Sequence, residues 1–310
     1  MITIFLILLI GHAIGDNSFT VKEEVAFIPA TEYLLGKKIF EDRSLSSDKS
    51  ISCNSCHDLS NYGVDGKRFS KGPNSSENYI NTPSIYHLSQ TNYFFTDGRE
   101  TTLSGAISSE IENYQRMNST WEEFLDKMKS NQSYEESFRN IYGQKITKEL
   151  VLHVLEGFLM SLDLGRSKFD EHLIDKVKLS KEELNGLSRF KELGCIHCHN
   201  GVNLGANNFS SRGVFMEYLD SRSKVIKNHE YGRYNATRKE EDKYLFKVPS
   251  LRNIEYTSPY FYFGNIDSLY EAIALKIKAH NGIEPSDKDI NAIIIFLRTL
   301  SSKKKVDHEK

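Results

Sequence analysis

The apolar positions of this chain recur with helical rather than strand-like spacing. Between Lys148 and Leu162, residues Leu152, Leu155, Phe158, Leu159 and Leu162 return every third or fourth position and so share one helical face. The same spacing predicts a helix over Thr120 to Met128 and two more near the C-terminus, IDSLYEAIALKIKAH and SDKDINAIIIFLRTL. Ser286 stands where an N-cap side chain would accept from the first-turn amides, and Asp289 sits at the positive end of that helix dipole. Alternating strand patterns are scarce. Asn61 to Gln90 and Asn200 to Ser258 are rich in Gly, Ser, Asn and Pro and predict long ordered loops. The expected fold class is mostly α.

The opening MITIFLILLIGHAIG holds an apolar run from Ile2 to Ile10 followed by small residues, with Ala13 and Gly15 placed for cleavage before Asp16. Residues 1–15 are read as a signal peptide, which predicts a periplasmic protein without stable membrane insertion; an uncleaved anchor is the alternative, although the run is short for a span. The remaining length suits two modest domains. With 40 Lys and Arg against 42 Asp and Glu, and only Lys303 to Lys305 as a basic run, the composition excludes a nucleic-acid binder.

The 4 cysteines of an exported chain would ordinarily suggest disulfides, but here they form two C-x-x-C pairs, each followed at once by histidine. In C-x-x-C-H the thiols add across the haem vinyl groups and the histidine lands beneath the iron as proximal ligand. Cys53, Cys56 and His57 would hold one haem c, and Cys195, Cys198 and His199 a second. Zinc or a redox dithiol is the competing reading, and it leaves both histidines unexplained. TEYLLGKKIFEDRSLSSDKSISCNSCH and SKEELNGLSRFKELGCIHCH both read as an amphipathic helix running into a turn before the cysteines. This weak duplication places one cytochrome domain over 16–165 and another over 166–303, with Gly165 to Lys178 as the connection.

The stretches GKKIFEDRSLSSDKSISCNSCH, NTPSIYHLSQTNYFFTDGRE, LGCIHCHNGVNLG and FKVPSLRNIEYTSPYFYFGNIDSLYEAI, in that order, resemble the bacterial di-haem cytochrome c peroxidases and their tryptophan-oxidising relatives. The resemblance runs from about Leu35 to Leu300. It implies a two-domain helical protein in which hydrogen peroxide reacts at the N-terminal haem. Electrons from a small redox protein, a cytochrome c or a cupredoxin, would enter at the C-terminal one. It also implies a calcium ion held by Asn81 and by the carbonyls of Thr257 and Pro259, and it is compatible with a homodimer. Arg99 and Arg252 are expected to pair with haem propionates.

Several positions depart from the family pattern. The loop histidine that closes the first haem falls near Pro73, which predicts a five-coordinate or water-bound iron unless His87 reaches it. The tryptophan between the haems falls at Thr96. The distal Gln and Glu fall at Ala106 and Arg116, leaving Glu110 and Glu112 as nearby acids and Arg116 to stabilise charge on peroxide. At the second haem the distal Met falls at Lys276, with His280 one turn later on the same face, so either nitrogen could ligate. The family's histidine in P-Y-F-H-D-G is Tyr262, and Tyr260, Phe261 and Tyr262 are expected to pack on porphyrin. Three functions follow: a di-haem peroxidase, placed first; an oxidase that modifies a protein or small molecule; and a non-enzymatic electron carrier or redox sensor.

Overall fold

The computed structural model describes residues 18–23, 28–211, 213 and 231–302; the expected signal peptide and the lysines at 303–305 lie outside the described residues. The helices are α1 (Ala30–Glu41), α2 (Leu103–Glu112), α3 (Trp121–Lys129), α4 (Gln132–Tyr142), α5 (Lys148–Ser161), α6 (Lys168–Leu173), α7 (Lys181–Glu192), α8 (Tyr234–Thr237), α9 (Leu269–Asn281) and α10 (Asp287–Arg298). Their starts are written in the sequence: Thr120 and Ser180 each form a capping box with a glutamate, and Ser286 accepts from the Asp289 amide at 3.2 Å, as its position predicts. The described sheet is a two-residue antiparallel ribbon, β1 (Phe209–Ser210) against β2 (Phe246–Lys247). Helix α6 lies within 165–178, the segment expected from sequence to link the two halves. Ser167 and Asp170 cap each other there, and Phe169 is driven into a core.

The buried apolar side chains form two clusters, one drawn from Leu35 to Leu162 and one from Phe169 to Leu300. Each is organised by a helix pair, α1 against α5 and α7 against α10. Both pairs cross at a glycine. A Cβ on Gly36 would meet the Phe158 Cβ at 2.4 Å, and one on Gly186 would meet the Ala292 carbonyl at 2.2 Å. The missing side chains let backbones approach closely, and a methyl group at either point would force the helices apart. The helices preceding the two C-x-x-C-H motifs are thus seated in their cores by the same device.

Where the clusters meet, the chain buries charge. Arg252 and Asp170, both about 1 % exposed, form a two-pronged ion pair with N–O distances of 2.7 and 2.8 Å. The Arg252 Nε also donates to the Val202 carbonyl at 3.0 Å. Arg252, expected from sequence near a haem propionate, is here paired with a protein carboxylate. Beside it, Lys22 reaches Asp163, the Gly165 carbonyl at 3.1 Å and the His87 Nδ1 at 2.7 Å. The other His87 nitrogen lies 2.9 Å from the Asn253 amide, so both ring nitrogens are engaged within this junction. Asn253 in turn accepts from the Ser302 amide at 2.9 Å.

Two outcomes follow from this junction. Asp170→Asn leaves a buried guanidinium without its counter-charge, and urea unfolding should register a loss of about 3–5 kcal/mol. Burial holds His87 neutral, with its pKa pushed from 6.5 to about 4. The unfolded chain therefore binds the extra proton first, so this stabilisation is complete above pH 6.5 and drains away as pH falls toward 4. The stability gap between the native protein and His87→Asn should narrow by about 3 kcal/mol over that interval in pH-dependent thermal unfolding.

Candidate haem-binding sites

Each C-x-x-C-H motif begins on a single 3-10 turn, Cys53–Ser55 and Cys195–His197. The two turns close identically. The Cys53 carbonyl accepts from Cys56 at 3.3 Å and His57 at 2.9 Å, and the Cys195 carbonyl accepts from Cys198 and His199 at the same distances. One carbonyl thus gathers the second cysteine and the histidine of its motif. All four cysteines are half-buried.

The imidazoles are oriented by backbone oxygen. His57 Nδ1 lies 3.3 Å from the Gly63 carbonyl, and His199 Nδ1 lies 2.9 Å from that of Leu204. The Pro83 and Pro249 carbonyls face the same two rings. A carbonyl can only accept, so each Nδ1 carries the proton and each Nε2 keeps its lone pair. Burial depresses both histidines, His199 to about 4, so the rings are neutral. Paired thiols beside a neutral imidazole with a prepared Nε2 fit a covalently attached haem, the carbonyl fixing ring orientation and ligand basicity.

At the first site, Glu110 at the end of α2 and Arg116 beyond it form an ion pair at 3.0 Å. Both fields reach His57 and Cys56, Glu110 favouring and Arg116 opposing a proton on the imidazole. Glu112 does not join them. It is exposed on α2 while the neighbouring Ile111 enters the core. Ala106 is core, and Pro73 is buried behind the Gly72 turn. Arg99 pairs with Asp97 at 3.0 Å and lies over the Phe95 ring at 3.7 Å.

At the second site, Lys276 Nζ and His280 Nε2 stand 3.1 Å apart on α9, one turn from each other as expected. The fields of both reach His199. Tyr262 packs edge-on against Phe246 and Phe263, and the Tyr260 hydroxyl donates to the Ile254 carbonyl at 3.1 Å. The Asn81 amide comes within 2.5 Å of the Pro259 carbonyl, with Thr257 two residues before it in the same loop. Turning that amide would present its oxygen beside the carbonyl, a donor set suited to a hard cation such as calcium. No group of three or more His, Cys, Asp or Glu that could hold a metal occurs among the described residues.

Lys247 escaped the sequence reading. Its amide donates to the Thr96 carbonyl at 2.8 Å and its Nζ to the Tyr93 carbonyl at 2.9 Å, tying β2 to the segment where the family's tryptophan would stand. Burial lowers its amine to about 8. Only the fold, bringing positions 93 and 247 together, exposes that role.

The sequence model of the di-haem cytochrome c peroxidase family matches residues 30–178. A cytochrome c551 peroxidase of Nitrosomonas europaea is 36% identical over 269 residues, 86% of this chain and 79% of the relative. That of Pseudomonas aeruginosa is 30% identical, covering 87% of this chain and 78% of its own length. Among solved structures, a MauG-like protein associated with microbial copper homeostasis superposes with a TM-score of 0.77 at 20% identity, covering 89% of this chain and 91% of that one. The di-haem peroxidase BthA from Burkholderia thailandensis gives 0.75 at 18% identity, covering 92% and 90%. These two share the fold. The paired motifs and the peroxidase relatives that align along most of the chain together place this protein in the di-haem cytochrome c peroxidase family.

Proposed function

We propose that the protein reduces hydrogen peroxide to water at a haem held by Cys53, Cys56 and His57, with electrons entering through a second haem held by Cys195, Cys198 and His199. The observation that carries this reading is the Glu110–Arg116 pair, 3.0 Å apart and within electrostatic reach of His57. The bound haem supplies the iron redox chemistry. Glu110 takes a proton from one peroxide oxygen and returns it to the other as the O–O bond breaks. The Arg116 guanidinium stabilises the negative charge that develops meanwhile. The Gly63 carbonyl keeps His57 in one orientation throughout.

Lys276 or His280 would supply a nitrogen ligand to the second haem, and a nitrogen in place of methionine sulfur would lower its potential. A cytochrome c or cupredoxin is the donor, the protein works in the periplasm after loss of residues 1–15, and a calcium ion joins Asn81, Thr257 and Pro259. The homodimer belongs to the same reading. Pro73 in the place of a closing histidine favours a second reading, an oxidase acting on a protein or small molecule. The apolar Ala106 in the place of the distal Gln favours a third, electron transfer or redox sensing without turnover.

Glu110→Gln should slow the peroxide-dependent change in haem absorption by roughly a hundredfold to ten-thousandfold in stopped-flow, while Glu112→Gln leaves it unchanged. An equal rate in Glu110→Gln would remove the acid–base role. Lys276→Met should shift the absorption of the second haem toward that of a His–Met site; if His280→Ala alone alters the spectrum, the ligand is His280.

A further inference from the structure

Tyr62 and Tyr256 stack face to face, with ring centroids 4.2 Å apart and planes within 7° of parallel. Tyr62 comes shortly after His57 and holds a φ of +53°, a left-handed conformation that disfavours a bulky side chain. Its carbonyl accepts from Ser84 Oγ at 2.7 Å, and the next residue, Gly63, supplies the carbonyl that faces His57 Nδ1 at 3.3 Å. The backbone of Tyr62 is thus one peptide from the group that orients the first proximal ligand. At the other end of the stack, Tyr256 is 43% exposed. The pair joins the ligand loop to solvent.

A phenol that loses an electron becomes a strong acid and must shed its proton. Tyr256 is open to solvent, so water can take that proton. Strained backbone of this kind is retained where the surrounding structure demands it, and here it delivers one ring onto another.

The geometry points to the Tyr62–Tyr256 stack as a one-electron relay through which small phenols in solution reduce the first haem site. This deepens the peroxidase reading by adding a class of reductant, and rests on that reading for the oxidant, hydrogen peroxide. Tyr256 gives one electron through Tyr62 to the oxidised haem site; its O–H bond breaks and the proton passes to water. A phenol then transfers a hydrogen atom to the tyrosyl oxygen, restoring Tyr256 and leaving as a phenoxyl radical. The proton released to solvent balances the one taken up in forming water. Each peroxide consumes two phenols and yields two waters and two phenoxyl radicals.

The relay is tested on the reduced holoprotein by pulse radiolysis with azide radicals, which oxidise exposed tyrosines without peroxide. The tyrosyl absorption should decay as haem oxidation appears, about tenfold more slowly in Tyr62→Phe and with reduced initial amplitude in Tyr256→Phe. Both variants keep the ring and its packing, so a purely structural role would leave them unmoved. Tyr244→Phe, which alters an exposed tyrosine away from the stack, serves as the control and should lower the initial amplitude while leaving the rate of haem oxidation at the wild-type value. Equal kinetics in all four proteins would overturn the relay. With peroxide and p-cresol, Tyr256→Phe should form about tenfold less coupled cresol while oxidising reduced cytochrome c at the wild-type rate. Undiminished cresol coupling would discard phenols as the reductant. A wild-type haem inert to peroxide would remove the peroxidase reading, leaving the radiolysis result to decide the relay.

Discussion

A backbone carbonyl set against an imidazole N–H is the constraint on which both sites depend. Gly63 and Leu204 supply it, and each belongs to a loop that returns upon its own motif within a few residues. The turn at Cys53 or Cys195 brings cysteine and histidine together, but alone it would leave the ring free to rotate. The returning loop settles which nitrogen bears the proton. Long irregular segments are costly in a compact fold, and these persist because they serve as the walls of a site.

The two sites share this scaffold and differ in the charges around it. Near His57 stand an acid and a base already paired, Glu110 with Arg116. Near His199 stand two nitrogen bases, Lys276 and His280, with no carboxylate among the groups whose fields perturb that ring. The first environment can trade protons with a small molecule, whereas the second can offer electron pairs to a metal. Two sites built on the same local turn but set among different charges can divide labour between them.

What the sequence revealed was local. The C-x-x-C-H spacing, the caps at Thr120, Ser180 and Ser286, and the apolar stripe of α5 each depend on neighbours a few positions away. Helix α4 was harder to see, because QSYEESFRNIY buries only Tyr134 and Phe138. Nothing around Arg252 announces its pairing with Asp170, 82 positions earlier. Glu110 and Glu112 look alike in sequence, and only the rotation of α2 sends one toward the site and the other to solvent. The stack of Tyr62 on Tyr256 is likewise invisible until the loops are placed.

The position of Lys22 carries a consequence about time. Its ammonium has no counter-charge until Asp163 exists and no full shell until Gly165 follows, while the His87 beside it waits for Asn253 and, through it, Ser302. A chain made from its N-terminus must therefore hold one of its earliest described segments in reserve until almost the last has emerged. The junction is a closing knot, tied only once the whole polypeptide is present, and a truncated product lacks the ends with which to tie it.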